Sequence, residues 1–386
     1  MSGVGWDDHP EVVAWAGLPS LDGDVSADAC VVGLGGSGLA AVDELVGRGL
    51  SVVGVDAGRI AAGAAGRNGG FLLGGGEPAL HEAIAAWGRD AAGWLYAATL
   101  AELDRLEAQL GADVVRRVGS IRLAGLPGPV ESDAEVADLE RELADCRQQI
   151  AALRELGIRV DEYDGELGAG LFLADDAATN PALRAVRLTT LLGDRARLFE
   201  NTRVLDVHAG SVRTEHGTVR ADVVIVAVDG RLDVLLPQLA DRVRTARLQM
   251  SATAPVPPGR LPCPVYGRWG YDYAQQTPDG RIFAGGGRDR YVEAEWTTDT
   301  EPTEGVQSWI EHVARRMAGG PVEVTHRWAA SVGYTADGRA LCTRVDDGVM
   351  ACGGYSGTGN LVGPVATRAA VAHLLDGAPV PAAFAS

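Results

Sequence analysis

The segment Ala29–Asp56 constrains this chain more than any other. A short apolar run, Ala29-Cys30-Val31-Val32, leads into Gly33-Leu34-Gly35-Gly36-Ser37-Gly38, which has the spacing G-x-G-x-x-G. An apolar-periodic segment, Leu39–Arg48, follows, and a second apolar run, Ser51–Val55, ends at Asp56. Strand, glycine turn, helix, strand and acid in that order read as a βαβ unit that holds the ADP half of a dinucleotide. The reasons are stereochemical. Gly33 permits a sharp turn out of the strand, Gly35 lets the backbone approach a pyrophosphate, and Gly38 lets the helix pack on the strand. The helix start at Gly36 and Ser37 offers free N–H groups and a partial positive charge to phosphates. Asp56, followed by Ala57, can accept hydrogen bonds from ribose hydroxyls. Its charge repels a 2′-phosphate, which favours FAD or NAD over NADP. A glycine-rich turn in another α/β fold is the alternative, because the chain holds 52 glycines in 386 residues.

Length and composition narrow the class. A chain of this length exceeds one simple core, so two domains, built from separated segments, are expected. The longest apolar runs, such as Val223–Val228, are strand-length and too short to span a membrane. Met1–Pro10 has neither a basic nor an apolar leader region, so a cytoplasmic location is expected. A net charge of −18 argues against nucleic acid and anionic membranes as partners. Five scattered cysteines read as free thiols, and the seven histidines show no metal-ligand spacing, so no metal is expected. All 34 basic residues are arginine, which excludes lysine nucleophiles, a pyridoxal Schiff base, a Walker A lysine and lysine-assisted oxygen activation.

Along the chain, residues 1–28 show little periodicity. A glycine/alanine loop at Gly58–Gly70 lacks bulk, as expected of backbone pressed against a large flat ligand. Helical periodicity marks 79–110 and 133–156, and the charged stretch Glu131–Glu155 reads as a solvated surface helix. Asn180-Pro181 opens a helix to about Leu192. Short strands are expected at 203–207, 211–214, 218–220 and 221–228, the last ending at Asp229-Gly230. Residues 244–300 read as antiparallel strands, with Thr277–Arg281 as a hairpin turn, and 304–319 as a helix. A second glycine loop, Gly353–Gly359, precedes a C-terminal apolar helix. Two helix N-termini fit an elongated ligand held at both ends, the second stabilising a reduced flavin; a well-capped helix is the alternative.

Three blocks make the sequence resemble the superfamily of D-amino-acid, glycine and sarcosine oxidases, FAD-dependent oxidoreductases. They are Val31–Gly38 with Asp56; Gly63–Gly70; and Trp328, Gly333-Tyr334-Thr335, Asp337-Gly338-Arg339 with Gly353–Gly359. The Gly63–Gly70 block is nearest the gamma-glutamylputrescine oxidase branch, with Ala65 in place of serine. Tyr273 and Thr277–Arg281 match a substrate-domain hairpin. The resemblance implies an α/β (α+β two-domain) fold: a Rossmann-type FAD-binding domain with a mixed or antiparallel-sheet substrate domain. The expected boundaries are 1–80, 170–235 and 326–386 for the first, and 81–169 and 236–325 for the second. It implies cofactor contacts at the first glycines and Asp56, at Gly66, Arg67, Asn68, Gly69 and Gly70, and at Val204 and Gly230. Gly354, Tyr355, Gly357, Thr358, Gly359 and Asn360 complete the set.

The implied reaction is hydride transfer from an amine-bearing carbon to flavin N5, imine hydrolysis, and reoxidation by O2 to hydrogen peroxide. An amino-acid dehydrogenase using a quinone or carrier is a rival, as are an NAD-dependent dehydrogenase and a non-catalytic flavoprotein. Departures from the family pattern sharpen the expectation. Val332 stands where a cysteine links covalently to the flavin in one branch, so FAD is expected to be non-covalent. Gly69, Leu361 and Gln275-Gln276 stand where carboxylate-binding residues are found, so an amine lacking an α-carboxylate is the expected substrate. Arg67, Arg268 or Arg288 could supply a clamp from elsewhere. Arg67 is expected to reach flavin or substrate. Tyr271 and Tyr273, flanking Asp272, are expected on one strand face, as a substrate wall or as core. Trp328 is expected near the flavin, and His326 is a candidate base.

Overall fold

The computed structural model of the chain describes residues 3–130 and 132–385; Glu131, named above, lies outside them. The Ala29–Asp56 unit forms as expected: strand Ala29–Val32, helix Gly36–Gly47 and strand Val52–Val55. These strands lie inside a six-stranded sheet in the order Leu341–Asp346, Val349–Gly353, Val223–Val226, Ala29–Val32, Val52–Val55, Arg197–Phe199. Five strands run parallel, and only Leu341–Asp346 is antiparallel to its neighbour. Both faces are covered, which is why these strands read as continuous apolar runs. Ala29 and Val31 face a core shared with helices Gly36–Gly47 and Gly359–Asp376, whereas Cys30 and Val32 face Val207, Val212 and Val219 of a small four-stranded sheet.

A second, mixed sheet of eight strands has the order Val324–Tyr334, Arg244–Thr253, Ile282–Gly285, Asp272–Gln276, Val265–Gly267, Ser120–Leu123, Gly168–Leu173, Asp161–Gly165. Helix Glu304–Ala318 covers one face, burying Val306, Ile310, Val313 and Met317 against Ile121, Val265, Ala274 and Ile282. The expected dividing positions at 170 and 326 fall inside strands Gly168–Leu173 and Val324–Tyr334 of this sheet. Helix Arg89–Leu110 packs against helices Pro181–Leu192 and Gly359–Asp376 beside the parallel sheet.

Local chemistry explains the element ends. Asn180 caps helix Pro181–Leu192 by accepting from the N–H groups of Ala182 and Leu183, each at 3.0 Å, with Pro181 in the first turn. The expected 79–110 helix is two helices, Leu80–Trp87 and Arg89–Leu110, because Gly88 adopts φ 88° between them. The Thr277–Arg281 hairpin joins strands Asp272–Gln276 and Ile282–Gly285 as expected. The first 28 residues correct the sequence reading. Trp6 is buried and stacks on Phe283 with ring centroids 3.5 Å apart, and Val25–Ser26 adds a strand to the small sheet. Among the described residues, no helix is long and apolar enough to cross a membrane.

Candidate cofactor cavity and active site

A cavity of about 790 Å³ lies along the carboxyl ends of the parallel strands, where Val32, Val55 and Ala227 give way to loops. Gly33 turns there with φ 92°. A Cβ at Gly38 would sit 1.7 Å from the Gly33 carbonyl oxygen, so only glycine fits. Gly35 precedes helix Gly36–Gly47 with no side-chain cap, which leaves the first N–H groups for a ligand in the cavity. Asp56 accepts from the Leu34 N–H at 2.8 Å and the Gly58 N–H at 2.9 Å, while loss of water raises its carboxyl above the ordinary range.

Two asparagines tie the distant glycine loops together. Asn68 Nδ2 donates to the Ala64 and Ala65 carbonyls and to Asn360 Oδ1, and Asn360 Nδ2 donates to Asn68 Oδ1 at 3.0 Å and the Phe71 carbonyl at 2.8 Å. Two indoles fix the same loop from outside: Trp6 Nε1 donates to the Asn68 carbonyl and Trp328 Nε1 to the Arg67 carbonyl, both at 2.8 Å. Asp229, at φ 46°, accepts from the N–H groups of Gly333 and Tyr355, both at 3.1 Å, and so joins the end of strand Val324–Tyr334 to the second glycine loop. Desolvation outweighs these bonds and pushes its carboxyl up to about 6.

Of the expected cofactor contacts, Gly33, Gly35, Gly36, Ser37, Asp56, Ala57, Arg67, Asn68, Val204, Tyr355, Gly357, Gly359 and Asn360 line this cavity. Gly38, Gly66, Gly69, Gly70, Gly230, Gly354 and Thr358 stand behind the lining, where most serve close backbone approach. A Cβ at Gly230, for instance, would lie 2.8 Å from the Val332 carbonyl carbon. Val332 itself lines the cavity.

The expected catalytic side chains separate. Tyr273 lies between the two layers: Cβ atoms at Gly69 and Gly285 would meet its ring at 3.0 Å and its hydroxyl at 2.5 Å. Tyr271 does not share its strand face. The strand starts at Asp272, and Tyr271 ends the turn Arg268–Gly270 and is exposed, because the chain reverses there through positive φ at Arg268, Trp269 and Gly270. His326 is outside the cavity lining, held by Arg281 at 3.2 Å and Thr325 Oγ1 at 2.9 Å. Trp328 is buried, bonded to the Arg67 loop as above and packed edge-on to Phe283. Arg67 lines the cavity and pairs with Asp7 at 3.2 Å.

Sequence reasoning gives no site role to four residues here, Trp6, Arg184, Asp229 and Tyr334, although Asp229 stands at an expected strand end and Tyr334 within the third block of the resemblance. The Tyr334 hydroxyl lies 3.9 Å from the place a Gly357 Cβ would take, and desolvation pushes its phenol up to about 12. Arg288 stacks over this ring at 4.3 Å and over Trp296 at 4.2 Å. The signal for Asp229 was its position at the end of an apolar strand beside a glycine. The signal for Arg184 was a charge on the apolar side of a capped helix.

Comparison with known proteins agrees with this geometry. The chain is 29% identical over 371 residues to the Probable oxidoreductase OrdL of Rhizobium meliloti (strain 1021), covering 89% of this chain and 81% of that one. It is 27% identical over 411 residues to the gamma-glutamylputrescine oxidoreductase of Escherichia coli (strain K12), covering 94% and 87%. Its fold resembles that of glycine oxidase from Geobacillus kaustophilus, with TM-score 0.70 and 20% identity over 92% of this chain and 95% of that one. The family model for DAO, FAD dependent oxidoreductase, matches residues 28–373, and the chain therefore belongs to that family of FAD-dependent enzymes.

Proposed function

We propose that this enzyme oxidises a C–N bond of an amine to an imine, with dioxygen as electron acceptor and hydrogen peroxide as product. The observation that carries this reading is the meeting of Arg67 and Asn68 with Gly357, Gly359 and Asn360 at the cavity wall beside strand Val324–Tyr334, with the Tyr273 ring against Gly69 and the Tyr334 hydroxyl near Gly357 behind that wall. The residues fit FAD: a glycine cradle at Gly33–Ser37 that admits no side chains at its tightest point, an acid at Asp56, and a second helix N-terminus at Gly359. In this reading the first glycines and Asp56 face the diphosphate and ribose. The Arg67–Gly70 and Gly357–Asn360 loops hold the ring, and the eight-stranded sheet with its helices forms the substrate-binding part.

Bound FAD supplies a two-electron acceptor for the substrate's hydride and a donor to dioxygen. The neutral amine loses a hydride from carbon and becomes an iminium; water adds to its carbon and expels the amine as the carbonyl forms, and the proton released balances the one taken up when dioxygen is reduced to peroxide. Tyr273, behind Gly69, and Tyr334, beside Gly357, close the ring end of the cavity to water. Asn68 and Asn360 keep the two loops in register, which fixes the substrate's approach. No residue of the cavity is placed as a base, and an amine bound in its neutral form loses its hydride without one.

A panel of amines incubated in air with the FAD-loaded protein tests this: carbonyl product and peroxide are expected in equal amounts. Amine oxidation only with an added quinone overturns the dioxygen assignment, and no oxidation of any CH–NH compound overturns the reading.

One observation favours an amino acid as substrate. Arg288, beside Tyr334, has a buried Nε with no hydrogen-bond partner and no carboxylate in ion-pair range among the described residues. On this reading Arg288→Met raises KM for a carboxylate-bearing amine by about tenfold or more and leaves a simple amine unchanged. Equal KM changes for both exclude a carboxylate clamp at Arg288.

A further inference from the structure

Three arginines are buried among the described residues: Arg122 at 8%, Arg184 at 2% and Arg247 at 5% exposure. Arg122 pairs with Asp145, and Arg247 pairs with Glu295 and Asp299. Arg184 pairs with no carboxylate. Its Nη atoms donate to the Asn360 side-chain and main-chain oxygens at 2.8 and 3.3 Å, and its Nε has no partner. The carboxylate it senses, Glu102, is already engaged by Arg368 at 3.0 Å and Arg105 at 3.4 Å. Burial accordingly pushes the Arg184 guanidinium down to about 10. An isolated buried cation destabilises a fold unless something compensates it.

Its place says what compensates it. Arg184 lines the cofactor cavity, and its Nη2 lies 2.9 Å from where a Gly36 Cβ would sit, under the first turn of helix Gly36–Gly47. The helix N-terminus and the guanidinium therefore favour negative charge at one spot. Arg184 also holds Asn360, the residue that joins the two glycine loops.

We propose that Arg184 is the counter-charge of the FAD diphosphate, so that cofactor binding completes a buried ion pair that the FAD-free protein lacks. The inference rests on the proposed placement of the diphosphate at Gly33–Ser37. It makes the cofactor's charge, and not only its shape, part of what stabilises the fold. It also couples the diphosphate end of the cavity to the ring end through one side chain, Asn360.

The test compares the full-length wild type with Arg184→Gln, which keeps donors for Asn360 without the charge, and Arg184→Lys, which keeps the charge. FAD affinity, read by titration of flavin fluorescence, is expected to fall about 10- to 100-fold in Arg184→Gln, the worth of one charged hydrogen-bonded contact, and to recover in part in Arg184→Lys. Inorganic pyrophosphate is expected to raise the melting temperature of the FAD-free wild type and not that of Arg184→Gln. The FAD-free Arg184→Gln protein is expected to melt no lower than the FAD-free wild type, because an uncompensated charge has been removed. Unchanged FAD affinity in Arg184→Gln overturns the proposal. Equal losses of melting temperature with and without FAD also overturn it, since a purely structural arginine behaves that way. Gly35→Val separates the two readings: if it leaves FAD affinity unchanged, the diphosphate placement itself fails.

Discussion

Arg247 and Arg184 both expose a twentieth of their surface or less, Arg184 lies the deeper of the two, and their pKa values shift in opposite directions. Arg247, on strand Arg244–Thr253, bonds Glu295 through Nε and Nη2 and reaches Asp299 and the Glu301 carbonyl through Nη1, and these partners raise its pKa. Gln249 bonds Glu295 from the same strand at 2.9 Å, so segment 294–303 is pinned to the sheet by a closed polar network. Arg184 has only amide and carbonyl oxygens, and burial lowers its pKa. Burial of a charge therefore does not by itself mark function. A buried charge whose partners are all protein belongs to the fold; one whose counter-charge is missing, at a cavity wall, belongs to a ligand.

The carboxylates show the same contrast. Asp145 meets Arg122 and His81, whereas Asp176, 1% exposed, has the Ser120 hydroxyl and the Gly74 N–H and no arginine in contact. Desolvation pushes Asp176 up to about 7.

The largest expected effect is on the closed network. Glu295→Gln removes the buried carboxylate and leaves Arg247 with Asp299, at 3.1 Å, as its remaining counter-charge; it is expected to cost about 2–3 kcal/mol of unfolding free energy, read by denaturant titration, equally with and without FAD. A loss that FAD reverses would mean that the Arg247 corner also serves the cofactor, which breaks the comparison. Asp176 gives the next effect, through pH. Its folded pKa is raised above the unfolded 3.8, so its proton stabilises the fold below that value and the contribution is lost as pH rises toward about 7. The stability of wild type relative to Asp176→Asn is therefore expected to fall between those limits, by at most about 1.4 kcal/mol per pH unit, and to be flat below and above them. A flat difference throughout would mean that Asp176 stays ionised. The smallest effect is expected at Asn68→Ala, which unties the two glycine loops. FAD affinity should drop by about tenfold, with the melting temperature of the FAD-free protein changed little. An equal drop in both would make Asn68 part of the fold rather than of the cofactor site.

What was legible in the sequence follows the same physics. The parallel sheet was readable because its turn is stereochemically exacting: Gly33, Gly35 and Gly38 each answer a contact a Cβ would break or crowd. Helix Pro181–Leu192 was readable from Asn180 and Pro181 alone. The order of the eight-stranded sheet was not, because strand Arg244–Thr253 pairs along its length with Val324–Tyr334, far away in sequence, and no local pattern encodes that register. Trp6 was invisible for a related reason: its indole has meaning only against Phe283 and the Asn68 carbonyl. Tyr271 was misplaced because strand alternation was extended one residue past Asp272 into a turn. Arg184 sits on a helix that was placed correctly, but Glu102, the carboxylate it senses, and Asn360, the residue it holds, come from other segments.

On the proposed reading, the loops joined by Asn68 and Asn360 form the ring end of a site where an amine reduces a flavin. Anaerobic mixing of the FAD-loaded protein with primary amines, secondary amines and amino acids, followed by visible absorbance, tests it most directly. Bleaching of the oxidised flavin band by at least one class, slowed in Asn68→Ala, is the expected result. A band that stays unbleached with every class would mean that no amine reduces the flavin at this site.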